Sequence, residues 1–469
     1  MNVQDRLKIQ RHEVPALDAL QRARCFDEVA IGFDEKTARD EAERCIQCKR
    51  PLCMEGCPVS IDIPGFIRKI SEGDFPGAIN VIRTTNSLPS ICGRVCPQEN
   101  QCEKVCVVGK KGMPVAIGAL ERFVADFERR YALPTTGVTV KPSGRKVAVV
   151  GSGPAGLTAA GHLAQLGHAV TVFEAFHEAG GVLIYGIPEF RLPKAIVQEE
   201  VDKLRAMGVE FALNTLVGRT ITIDELLADS YSAVFLAPGA GTPMFMNIPG
   251  ENLNGVCSAN EFLTRVNLMK AFDFPRQQTP VYCGRNVAVV GGGNTAMDAA
   301  RTARRMNPEK VYIVYRRSEA EMPARREEVH HAMEEGVEFL TLTAPVAYIG
   351  NEDGWVTAME CQRMELSEPD ASGRRRPVPV EGSNFTLEVD TVIVAIGAKT
   401  NDLLLHTTPG LHAERKGYLT LDKATGMTSR PGVFAGGDIA GGEATVIAAM
   451  GDGRRAAISI DGYIRDKDK

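Results

Sequence analysis

No apolar run in this chain reaches the roughly 18 residues needed to cross a membrane. An excess of positive charge is also missing. Lys and Arg number 54 against 59 Asp and Glu, for a net charge of −5 and a pI near 6.0. That removes the electrostatic case for nucleic acid or anionic lipid as a partner. The opening residues, MNVQDRLKIQRHEVP, lack the apolar stretch of a secretory signal, so the cytoplasm is the expected location. Low-complexity tracts and short-period repeats are absent too. The cysteines are not spread through a small domain in the manner of a disulfide scaffold.

What is present is a chain of 469 residues, 44% hydrophobic and 24% charged, able to bury ordinary globular cores. At roughly 100–200 residues per domain, two to four domains are expected. Of twelve cysteines, eight lie between Cys45 and Cys106, while Cys25, Cys257, Cys283 and Cys361 are scattered. Crowding of this kind in a reduced compartment points to metal ligation. EKTARDEAERCIQC reads as an amphipathic helix running into the first of these cysteines, and VAIGALERFVADFERRY as a second helix. PTTGVTVKPSGR, rich in Pro, Gly and Thr, reads as a linker.

The first cysteine run is Cys45-x2-Cys48-x4-Cys53-x3-Cys57-Pro58, and the second is Cys92-x3-Cys96-Pro97-x4-Cys102-x3-Cys106. A [4Fe–4S] cube takes a thiolate at each of four corners. Closely spaced cysteines wrap three of them and the fourth often comes from the other run. Structural zinc is the plainer alternative, but it more often uses two short pairs separated by a longer loop. Four cysteines within thirteen residues, followed by Pro, fit cubes better.

Beyond the linker, Val147–Val150 leads into Gly151-Ser152-Gly153-Pro154-Ala155-Gly156 and then a helix. Gly151 serves the tight turn, Gly153 lets a pyrophosphate approach the backbone, and Gly156 packs helix against strand. The phosphates meet the positive end of that helix, which Pro154 and Ala155 open. Glu174 ends the next strand and can accept hydrogen bonds from a ribose hydroxyl pair, which favours FAD or NAD. Gly180-Gly181 follows. The distant Gly436-Gly437-Asp438 completes an FAD pattern in which Asp438 holds the ribityl chain, although an ordinary turn aspartate is the alternative. The helix beginning near Ala444 would aim its N-terminus at the flavin pyrimidine.

The pattern recurs. Val287–Val290 leads into Gly291-Gly292-Gly293-Asn294-Thr295-Ala296, and the next strand, Val311–Tyr315, ends in Arg316-Arg317. Two βαβ openings imply two dinucleotide folds. Guanidinium groups at the second strand end suit a 2′-phosphate, so this site is expected to prefer NADP over NAD. Arg325 is expected to add a third positive charge. A solvated basic patch is the bland alternative. DTVIVAIGAKT reads as a further apolar strand, and PGVFAGGDIAGGEATVIAAMGDGRRAAISI as a short strand, a Gly-Asp turn and a helix.

Taken together, the two cysteine runs, GSGPAG, YGIPEFRLPK, GGGNTAMD, YRRSEAEMPAR and FAGGD resemble the glutamate synthase small-subunit family, from about Leu17 to Ile460. Similar modules occur in the N-terminal half of dihydropyrimidine dehydrogenase and in the large subunit of the bifurcating NADH-dependent reduced ferredoxin:NADP oxidoreductase. The resemblance implies an α/β fold: an N-terminal α-helical domain with two [4Fe–4S] clusters, then two Rossmann-like domains, the FAD domain interrupted by the NADP domain. The expected limits are 1–140 for the cluster domain, 141–280 and 399–469 for the two parts of the FAD domain, and 281–398 for the NADP domain. It implies that Cys45, Cys48, Cys53 and Cys106 hold one cluster, and that Cys57, Cys96, Cys102 and Glu121 hold the other. Cys92 would then be a non-ligand. A surface acid in a salt bridge is the alternative for Glu121. Arg191 would lie near the flavin, with Gly181, Val182 and Val217 also expected beside cofactor.

The implied chemistry is NADPH oxidation, with hydride passing to flavin N5 and electrons moving on singly through the clusters; no side-chain acid or base is required. Met1-Asn2 offers no N-terminal cysteine nucleophile, and the eight βα units of an FMN-binding barrel are missing. The chain alone is therefore not expected to make glutamate from glutamine. The partner implied is a second redox subunit, either a glutamate synthase large subunit or the small flavoprotein of the ferredoxin:NADP complex, with ferredoxin a further candidate. A relay subunit without NADP turnover is a third alternative, against which Arg316-Arg317 and the Gly291–Thr295 turn stand.

Overall fold

The structure, a computed structural model, describes residues 1–131, 140–369, 373–441 and 444–467. Half of the expected linker at 134–145, residues 134–139, lies outside the described residues.

The N-terminal region is helical. The helix Glu35–Ala42 starts on Asp34, whose carboxylate accepts the Thr37 N–H at 2.7 Å, and it leads into Cys45 as expected. Asp62 and Asp74 cap Ile63–Glu72 and Phe75–Arg83 in the same way, each followed by a proline in the first turn. These two helices and Pro89–Val95 fill the stretch between the cysteine runs, which the sequence reading left unassigned. Ile117–Arg130 is the second expected helix, and it buries Leu120, Glu121, Val124 and Ala125.

Two five-stranded sheets follow. The first runs, in spatial order, Val433–Ala435, Tyr231–Leu236, Lys146–Val150, Ala169–Phe173 and Glu210–Ala212, with every neighbouring pair parallel. The second runs Val256–Ser258, Thr391–Val394, Asn286–Val290, Lys310–Tyr315 and Glu338–Thr341, again parallel throughout. Their strands read as near-continuous apolar runs because both faces of each sheet are buried, one face of the second sheet by the antiparallel strands. Antiparallel strands at Thr343–Gly350, Val356–Pro369, Arg375–Pro379 and Phe385–Glu388 pack beside the second sheet and were not foreseen.

The chain leaves the first sheet after Leu236 and returns to it at Val433, so the second sheet interrupts the first. The two crossing segments pair briefly, Thr242–Pro243 against Ala398–Lys399. The expected boundary at 281 falls too late for this sheet. Val256–Ser258 already pairs with Val392–Val394, and the helix Ala259–Asn267 packs with the second unit. The short strand escaped notice because three residues carry no periodicity.

One core runs from the helical region into the first sheet, joining Phe66, Ile79 and Leu120 to Val147, Leu157 and Met450. The long C-terminal helix Val446–Lys467 lies across Pro154–Gln165 and also meets the helical region. A Cβ on its Gly451 would stand 3.2 Å from the Pro58 carbonyl. No helix among the described residues is long and apolar enough to cross a membrane.

Candidate functional site

The cysteines gather in two groups. Cys45, Cys48, Cys53 and Cys106 line one small cavity, walled by Ile63, Ile67 and Val108. Burial pushes the Cys45 thiol up to about 11 and the Cys53 thiol up to about 12, with the neighbouring thiols adding to the effect. The second group is Cys57, Cys96, Cys102 and Glu121, whose charges act on one another. Burial lifts Cys57 to about 11 and Cys102 well above the usual thiol range.

Glu121 is no surface acid. It is 6% exposed, its one hydrogen-bond partner is the Asn86 side-chain amide at 2.6 Å, and burial raises its carboxyl to about 8. A buried carboxyl without a countercharge is costly unless a cation meets it. Cys92 is buried beside this group, hydrogen-bonded to the Cys96 thiol and sharing Asn86 with Glu121. Its Sγ lies 3.7 Å from Asn86 Oδ1 and 3.4 Å from Met450 Sδ, on the long C-terminal helix.

Among the described residues no three such groups close on one point, as a lone ion requires. Cys45, Cys48, Cys53 and Cys106 stand around the small cavity, which fits a cube with ligands at its corners. Thiols this buried are poor thiolates on their own, and an iron cluster supplies the positive charge that deprotonates them.

The first glycine turn joins the ends of two strands to a helix. Gly151 has φ +96°, and a Cβ there would stand 2.3 Å from the Ala237 carbonyl. A Cβ on Gly156 would stand 1.9 Å from the Gly151 carbonyl, so helix and turn close together only without one. Gly153 faces open space, the cradle a pyrophosphate needs. The 5% exposed Glu174 holds the turn: one oxygen accepts the Ser152 N–H at 3.0 Å and the Ser152 hydroxyl, the other the Phe176 N–H at 2.9 Å.

Gly181 lies against Gly153, and Gly437 lies beside Ala155. Asp452, on the long C-terminal helix, accepts the Gly437 N–H at 2.9 Å. Asp438, raised by burial and by Asp452, is thereby brought to the same crevice from almost three hundred residues away. Pro154 and Ala155 form the first turn of the helix, and Val182 begins the short helix Val182–Tyr185. Val217 is buried among Val150 and Phe173, at the ends of the first two strands.

In the second sheet, Gly293 precedes the helix Asn294–Arg305, with Asn294 and Thr295 exposed at its start and Gly291 in the turn before it at φ +144°. Arg316 is exposed and Arg317 buried at the end of Lys310–Tyr315. Together they line an open cleft with Arg376, Glu368 and Ser367 from the antiparallel strands. Arg317 Nε donates to the Arg375 carbonyl at 2.8 Å, and Arg375 pairs with Glu321 at 2.6 Å, which fixes that hairpin over the strand end. Sequence reasoning missed Arg376; the run Arg374-Arg375-Arg376 was the available signal.

Two residues stand apart from their expected neighbours. Arg325 is not in the arginine cleft. Its N–H is held by Asn294 Oδ1 at 2.9 Å, and its guanidinium reaches the Arg94 carbonyl at 3.0 Å and Glu327 at 2.8 Å, because Pro323 turns the chain back to the helix start. Arg191 does not offer a free charge to the first crevice. It is paired to both oxygens of Asp298 at 2.7 Å and to Glu328 at 3.2 Å, tying the two sheet units together. Arg301, Arg305 and Glu335 extend this buried network, with Arg305 3.7 Å from the centre of the Phe190 ring.

Comparison with known proteins agrees with this layout. Residues 22–133 match the family described as dihydropyrimidine dehydrogenase domain II, 4Fe-4S cluster, and residues 145–453 match pyridine nucleotide-disulphide oxidoreductase. The chain is 37% identical to the NADPH glutamate synthase small chain of Escherichia coli, covering 99% of each. It is 42% identical to the beta subunit of the NADP(+)-dependent formate dehydrogenase of Moorella thermoacetica over 88% of its own length, and spans 60% of that subunit. Among solved structures, the fold is shared with FprA of Mycobacterium tuberculosis in complex with NADPH: TM-score 0.57, 21% identity, 70% of this chain and 86% of that one. The similarities establish an NADPH-dependent oxidoreductase of the FAD, NADP(H) and [4Fe–4S] type.

Proposed function

From the premise that this chain belongs to the family of the NADPH glutamate synthase small chains, we propose that it is the NADPH-oxidising subunit of a larger redox complex, in first place a glutamate synthase. The observation that carries this reading is the combination of two glycine crevices and two buried thiol groups in one chain whose similarity to such small chains runs end to end. The formate dehydrogenase subunit, by contrast, extends well beyond the matched part.

The cofactors would supply hydride acceptance at the flavin and single-electron carriage at the clusters. The chain's own residues bind and orient. In the first crevice Gly151, Gly153, Gly156 and Gly181 leave room for a pyrophosphate, Glu174 holds the turn beside the ribose, and Asp438 faces the ribityl position. In the second, Gly291, Gly293, Asn294 and Thr295 present the helix start to phosphate, while Arg316, Arg317 and Arg376 receive the 2′-phosphate. Cys45, Cys48, Cys53 and Cys106 would hold one cluster, and Cys57, Cys96, Cys102 and Glu121 the other. The buried network around Arg191 and Asp298 keeps the two nucleotide units in fixed orientation.

Purification of the native complex tests the finer assignment. A co-purifying glutamate synthase large subunit supports it. A small flavoprotein partner, or a formate dehydrogenase subunit, would assign the chain to a different complex.

A further inference from the structure

The first thiol group opens toward the surface. Cys48 is half-buried and is followed by the exposed Lys49. The segments that carry this group also carry Lys104, just before Cys106, Lys110 at the end of the short helix Val107–Lys110, and Lys111 after it. All four lysines are exposed, and none is paired to a carboxylate among the described residues.

The acids on the same segments are each matched by an arginine. Glu55 pairs with Arg50 at 3.2 Å, Glu103 with Arg11 at 2.8 Å, and Glu99 lies 3.6 Å from Arg325 Nε. The lysines therefore stand as uncompensated charge, on a chain whose net charge is −5. Charges within a Debye length of about 8–10 Å act together on an approaching partner. An acidic protein repelled by the rest of the surface is drawn to this rim, and steering of that kind raises association rates by about 10–10³-fold.

We propose that Lys49, Lys104, Lys110 and Lys111 form a docking rim for the acidic face of a redox protein or subunit, placed over the Cys45, Cys48, Cys53 and Cys106 group. This rests on the proposed function, in which those thiols hold a cluster, and it adds the charge of what docks there. Contact at this point brings a partner's redox centre near the outer thiol group without any rearrangement of the nucleotide units.

The test uses the anaerobically purified holoprotein and an acidic [2Fe–2S] ferredoxin as the probe, with affinity measured at 20 and 300 mM salt. Binding at low salt should weaken at least tenfold at high salt. The variant carrying Lys49→Gln, Lys104→Gln, Lys110→Gln and Lys111→Gln should lose at least tenfold at low salt and differ little from wild type at high salt. Iron content and flavin bleaching by NADPH are read on the same preparations. If both are normal while ferredoxin binding is absent or indifferent to the four lysines, the rim proposal is overturned and the proposed function stands. If iron is missing or NADPH leaves the flavin oxidised, the proposed function itself fails. Equal, salt-sensitive binding of phosphatidylserine vesicles would show a general anion surface and would also overturn the proposal.

Discussion

Replacing Arg316 with Ala should weaken NADPH much more than NADH. Arg316 is exposed at the end of Lys310–Tyr315, and among the described residues it has no carboxylate partner, so its removal leaves no buried charge behind. A hydrogen bond to a charged group contributes about 1.5–3 kcal/mol, and solvent screening at an open cleft places this one near the lower end. At about 1.4 kcal/mol per tenfold, the apparent affinity for NADPH should fall about tenfold to thirtyfold. NADH, without the 2′-phosphate, should change less than about threefold on the same scale. The assay is the rate of anaerobic flavin bleaching against nucleotide concentration, with thermal melting as a check on the fold. Equal losses for both nucleotides would refute the assignment of the 2′-phosphate to this cleft. Arg317→Ala is the less clean variant, because Arg317 also holds the Arg375 carbonyl and with it the hairpin.

Other perturbations separate the parts of the site. Cys48→Ser should lower iron and sulfide while FAD remains bound; unchanged iron would remove Cys48 from the ligand set. Gly156→Ala should abolish FAD retention, since its Cβ would stand 1.9 Å from the Gly151 carbonyl; a yellow, stable variant would contradict the close packing. Glu121→Ala should lose or alter one cluster, read by electron paramagnetic resonance, whereas an unchanged spectrum would make Glu121 a buried acid without a ligand role. Arg191→Ala leaves Asp298 and Glu328 buried without their partner and should destabilise the protein by about 3–5 kcal/mol, seen in denaturant unfolding.

Much of this was legible in the sequence because the informative residues are consecutive. The two glycine turns, the helix before Cys45 and the helix around Glu121 are written in short windows, and the structure forms each of them. What was not legible depends on distant pairing. Val256–Ser258 joins the second sheet through three residues, too few to show a period. Arg376 reaches Arg316 only because an antiparallel hairpin folds back over a parallel sheet. Arg191 and Arg325 were read as free charges near ligands. The partners of Arg191, Asp298 and Glu328, lie in the other nucleotide unit, and those of Arg325 are Asn294 across its own unit and Arg94 in the helical region. Charge is easy to see in a sequence, but its compensation is a tertiary fact.

The most direct measurement is the content of iron, acid-labile sulfide and flavin in the chain purified without oxygen. Two cubes and one FAD predict about eight iron and eight sulfide per chain with a single flavin. Zinc in place of iron, or a colourless protein with fewer than about four iron per chain, would contradict an account in which both thiol groups hold [4Fe–4S] clusters.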